Sequence, residues 1–74
     1  MENWVKAICD ELGLDADSVD VEEILAMTKV VAYAVERTAA PVTSLIMGMA
    51  IAKGQNGKEV SQKIQDFAST WKQD

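Results

Sequence analysis

The chain has 74 residues, 49% of them apolar and 26% charged, with a formal charge of -5, a size and balance that fit one small folded core and exclude a second domain or a disordered acidic tail. Eight of its twelve acidic residues lie between Glu2 and Glu23, so the amino-terminal third repels phosphate backbones and nucleic acid is not expected as a partner. Histidine is absent and Cys9 is the one cysteine, which removes disulfide staples, the common zinc sets and the Ser-His and Cys-His nucleophile pairs.

The first predicted helix runs from about Asn3 to Leu12, with Trp4, Val5, Ile8 and Leu12 on one face at helical spacing. Gly13 follows as a left-handed cap, and Leu14 is expected to fold back on the helix. The segment Asp15 to Val19 is a turn with room for a further short helical piece. Its acids suggest a calcium loop at first sight, but Val19 stands at the fifth position, the required glycine is missing and Ala26 stands at the twelfth. They read better as cap and turn residues.

The second helix has the clearest start, because Asp20 and Glu23 have capping-box spacing and Val19 with Ile24 suits a hydrophobic staple. It carries a broad stripe of Val21, Ile24, Leu25, Thr28, Val31, Ala32 and Val35, and a second apolar face of Met27, Val30 and Ala34. Two such faces place it at the centre of a bundle or against another protomer. A tight corner follows at Arg37 to Pro41, where Arg37 suits the negative end of the second helix and Thr38 is expected to cap the third.

The third helix, about Ala39 to Lys53, is apolar nearly all round and is expected to be the buried core helix, with Gly48, Ala50 and Ala52 allowing close backbone approach. From Thr38 to Ala52 the chain holds 15 uncharged residues including Thr43 and Ser44, fewer than the roughly 20 apolar residues a membrane span needs. No membrane partner is expected, nothing near Met1 resembles a secretory leader, and the cytoplasm is the default compartment. Gly54 ends the helix, and Asn56 with Glu59 repeats the capping-box spacing ahead of a fourth helix with Val60, Ile64, Phe67 and Trp71 in a stripe. The fold class is therefore all-α, an up-and-down bundle of four short helices with antiparallel neighbours.

Candidate functional residues are few, and each has a structural alternative. Arg37, with the hydroxyls of Thr38, Thr43 and Ser44 at a helix start, forms a candidate site for a phosphate or carboxylate. Dipole compensation, capping and backbone bonding account for the same residues, and that assignment takes precedence. Met27, Val30 and Ala34 on the second helix, Met49 on the third, and Trp4 and Trp71 near the chain ends form a candidate contact surface for a protein partner or a second copy. A domain this small buries only roughly 60% of its unfolded surface, and with a two-faced second helix the expectation is a homodimer through the second and third helices. No serine has a base beside it and no carboxylate an apolar pocket, so the chain is read as lacking catalytic machinery, and no cofactor is expected.

Two resemblances carry further expectations. Ala16 to Ile24 looks like the segment in which acyl carrier proteins bear phosphopantetheine on a serine, here Ser18, although Ser18 follows the first helix too closely for that family. The whole chain resembles a small bacterial domain of unknown function that occurs alone or fused to the carboxyl end of molybdenum-cofactor guanylyltransferases. The likeness rests on Trp4 with Glu11 to Asp15, on Val19 to Val21 with Ile24 and Leu25, on Arg37 to Ser44 followed by Gly48 and Ala50, and on Trp71. It implies a helical accessory module linked to molybdenum-cofactor maturation or to molybdoenzymes by association, and it assigns no catalytic residue.

Overall fold

Helix starts and stops in this chain are set by single side chains, and most lie where the sequence places them. The computed structural model describes residues 1–71. It comprises α1 (Glu2–Leu12), a 3-10 turn (Ala16–Ser18), α2 (Val21–Ala34), α3 (Ala39–Ala52) and α4 (Gly57–Ser69), an all-α small bundle with no strand among the described residues. Gly13 adopts φ 71° and ψ 30°, where a side chain would be strained. It closes α1 by donating its N–H to the Asp10 carbonyl at 3.3 Å while Leu14 donates to the Cys9 carbonyl at 2.8 Å, the paired bonds that satisfy a helix's last acceptors. The Asp20 carboxylate accepts from the Glu23 N–H at 3.1 Å and the Asn56 side-chain oxygen from the Glu59 N–H at 3.1 Å, so α2 and α4 have the caps their sequences predict.

Thr38 does not cap α3. Its backbone is helical, φ -70° and ψ -16°, whereas a side-chain cap needs an extended residue. The first N–H groups of α3 bond three residues back instead, Ala39 to the Glu36 carbonyl at 3.1 Å and Ala40 to the Arg37 carbonyl at 3.2 Å. The Thr38 hydroxyl donates to the Glu36 carboxylate at 2.8 Å.

The core lies between α2, α3 and α4. Met27 and Val31 of α2, Met47 of α3, and Val60 and Ala68 of α4 form its buried centre, with Ile24, Val30, Ala34, Val35, Ala39, Ala50 and Ile64 packed around them. α2 is the central helix, touched by both α3 and α4, which explains why it needs two apolar faces. Ser61 is fully buried within this core, and its hydroxyl accepts from Gln65 Nε2 at 3.0 Å, so the buried oxygen keeps a partner.

Three expectations fail on packing. α3 is not surrounded: only Ala40 and Met47 are buried, because its neighbours α2 and α4 cover one side. α1 does not close the bundle: no α-carbon of α1 comes within 8 Å of one in α2, α3 or α4, and it packs against the 3-10 turn instead. Leu14 is exposed rather than folded back on α1. The chain is accordingly elongated, with axes of 42 × 24 × 16 Å.

Candidate protein-interaction surface

The sequence of α3, Ala-Ala-Pro-Val-Thr-Ser-Leu-Ile-Met-Gly-Met-Ala-Ile-Ala, contains no charged residue. At 100° per residue, Ala40, Met47, Ala39 and Ala50 turn to the core, while Val42, Leu45 and Met49 fall on the opposite arc and Ile46 lies at its edge, on the Ala39 side. The structure leaves that arc open: Val42 is 59%, Leu45 69%, Ile46 55% and Met49 57% exposed. Spacings of three and four residues place these side chains in one continuous ridge. Exposed Gly48 borders the ridge on the Leu45 side, and a Cβ added there meets nothing within 4 Å, so no neighbour in this chain uses its lack of a side chain. Charges flank the ridge only in sequence, at Arg37 before it and Lys53 after it. Single exposed apolar residues are ordinary, but a contiguous apolar helix face is a candidate contact surface.

A second apolar strip, partly covered, runs along α1. Trp4 and Leu12 are exposed, Val5 and Ile8 half-buried, and Cys9 buried as a free thiol. Its opposite side carries Lys6 and Asp10, both exposed, so α1 has one wet face and one apolar face.

The residues singled out from sequence are scattered among three places. Met27 is 0% exposed; it is the centre of the core and not a contact residue. Val30, Ala34 and Trp71 line a groove between the carboxyl halves of α2 and α4, together with Lys29, Tyr33 and Ala68. Met49 belongs to the α3 ridge and Trp4 to the α1 strip. The two indoles do not form one patch, because α1 stands apart from α4 and the ring beside Trp71 is that of Phe67, with centroids 5.9 Å apart and planes tilted by 47°.

The Arg37 corner is not assembled as an anion site. Thr38 is engaged by the Glu36 carboxylate, which brings negative charge to the helix start. Ser44 donates to the Ala40 carbonyl at 3.1 Å, Thr43 is half-buried, and Arg37 is exposed. Ser18 sits in the 3-10 turn and donates to the Asp15 carbonyl at 2.6 Å, while Asp20 rather than Ser18 caps α2. The Asp15 carboxylate accepts from the Asp17 N–H at 2.9 Å, and no group of three or more potential metal ligands occurs among the described residues.

Sequence reasoning found one residue of the ridge, Met49, and missed Val42, Leu45 and Ile46. The signal was present as an uncharged helix, but it was read as burial. Only α2 and α4 pack against α3, and two neighbours cannot wrap a helix all round.

Fold and surface together define a class, the small helical domain that presents an uncharged helix face beside an amphipathic arm. Within that class the chain belongs to the family described as a domain of unknown function, DUF6457, whose model matches residues 1–74. No curated protein and no solved structure matches the chain.

Proposed function

We propose that this domain is a non-catalytic protein-interaction module of the cytoplasm that works by presenting the outer face of α3. The observation that carries the reading is the ridge of Val42, Leu45, Ile46 and Met49, four side chains each more than half exposed on a helix without a charge. Burying such a ridge is worth about 25 cal/mol per Å² of apolar surface removed from water, before the costs of association. A flat aliphatic face of this kind suits another protein's apolar surface better than a polar metabolite.

The resemblance to a domain fused to molybdenum-cofactor guanylyltransferases supplies a partner class: an enzyme of molybdenum-cofactor maturation, or one that uses the cofactor, held by association rather than by chemistry. The test is a calorimetric titration of a purified molybdenum-cofactor guanylyltransferase with the domain and with its Leu45→Glu variant. The reading expects binding by the parent and at least a tenfold loss in the variant, whose helical circular dichroism should be unchanged. Equal binding by both chains would remove α3 as the contact face.

A further inference from the structure

We propose that two copies of this chain associate by reciprocal exchange of α1, the apolar strip of each α1 lying on the α3 ridge of the other copy. The proposal rests on the reading of α3 as a contact face and makes a second copy its occupant in the free domain, one that an enzyme partner displaces.

Surface area supplies the first argument. A folded monomer of 8.1 kDa exposes about 4,500 Å² on the usual scaling of surface with mass. This chain exposes 5946 Å², more than 1,000 Å² beyond that value. A stable interface buries about 800 Å² on each partner, and obligate dimers bury more, so the uncovered surface is of the size that a dimer of this chain would remove. The radius of gyration agrees, at 13.0 Å against about 11 Å for a globular chain of this length.

The second argument is how the surplus is distributed. It includes two apolar strips on one chain, the α3 ridge and the α1 strip with Trp4 and Leu12 each 63% exposed, while Tyr33 of α2 and Phe67 of α4 are exposed elsewhere. Pairing α3 with a second α3 would cover the two ridges and leave Trp4 and Leu12 of both α1 helices exposed. Laying α1 on α3 covers both at once, and the exposed Lys6 and Asp10 of α1 then face water, as the outer side of a covering helix requires.

The third argument decides between the chain's own α1 and that of a second copy. α1 lies against the 3-10 turn that follows it, and no α-carbon of α1 comes within 8 Å of one in α3 of the same chain. Folding onto the ridge of its own chain would require it to leave that position. A second copy brings its ridge to α1 with no such rearrangement, and a two-fold axis makes the exchange mutual.

The test begins with sedimentation and native mass spectrometry of the full chain over a wide concentration range, where the proposal expects a dimer. Chains carrying Leu12→Cys or Trp4→Cys are then mixed with chains carrying Leu45→Cys, all in a Cys9→Ala background, and treated with a short bis-maleimide. All three new cysteines replace exposed side chains, so folding should survive. Cross-links between an α1 cysteine on one chain and residue 45 on another support the exchange, and Leu45→Glu should weaken the dimer at least tenfold. A monomer at every concentration overturns it, as does a dimer cross-linked only from 45 to 45, or an α1 cross-link confined to one chain. A monomer that still loses a guanylyltransferase through Leu45→Glu overturns the exchange while leaving the α3 contact reading in place.

Discussion

α3 and α4 are nearly equal in length, 14 and 13 residues, and both pack on α2, yet their outer faces have opposite chemistry. The outside of α4 shows Lys58, Glu59, Gln62, Lys63 and Asp66 to solvent, with Gln62 Nε2 donating to the Asp66 carboxylate at 2.9 Å. The outside of α3 shows Val42, Leu45, Ile46 and Met49. One helix is finished by water and the other is not. Inward packing is equivalent for the two, since each contributes buried residues to the same core, so core stability does not require an apolar outer face on α3. That face is surplus to folding, and the surplus is what points to a partner.

The comparison can be broken most severely through the residue beneath both helices. Met27→Ala removes the fully buried side chain at the centre of the core and should cost about 2–5 kcal/mol. That is a large part of the roughly 4–11 kcal/mol available to a domain of this size, and urea unfolding should show both helices melting together. Independent loss of α3 alone would mean that the two helices are not docked on one core.

Paired surface substitutions sharpen the contrast. Leu45→Glu on α3 should weaken association at least tenfold and leave the unfolding free energy of the dissociated chain in urea within about 0.5 kcal/mol of the parent, whereas Lys63→Glu on α4 should change neither. Association would be followed by native mass spectrometry. Loss of association in the α4 variant would transfer the contact face to the wrong helix.

Caps separate the helices by a smaller amount. Asn56→Ala removes a side-chain acceptor from the start of α4 and should cost about 1 kcal/mol. Thr38→Ala removes no cap, because none is made, and should stay within about 0.5 kcal/mol in the same urea unfolding. Gly48→Ala closes the series. With open space around the added methyl, it should stabilise α3 by about 0.5–1 kcal/mol and weaken association if a partner backbone passes close to it.

Most of the local structure was legible. Asp20 and Asn56 announced their helices through spacing alone, and Gly13 announced the end of α1, because caps depend on residues three or four positions away. The central place of α2 followed from its two apolar faces. What could not be read was which faces meet. Periodicity says that a face is apolar but not whether the chain has enough helices to cover it, and so α3 was taken for a buried helix and Met27 for a contact residue. Thr38 misled for a different reason: its side chain is right for a cap, but the tight corner after Glu36 forces a helical backbone on it. The separation of α1 had no signal in its own residues, since its stripe serves a cis or a trans contact equally well.

That separation has a consequence for how the molecule breathes. Amides in α2 and α4 open only when the shared core opens, and their exchange with deuterated solvent reports the free energy of global unfolding. α1 has no α-carbon within 8 Å of that core, so its amides exchange through a local opening of their own, and two protection levels should appear in one chain of 74 residues. Whatever covers α1 would merge the two levels into one, and the arm would then share the cooperativity of the rest.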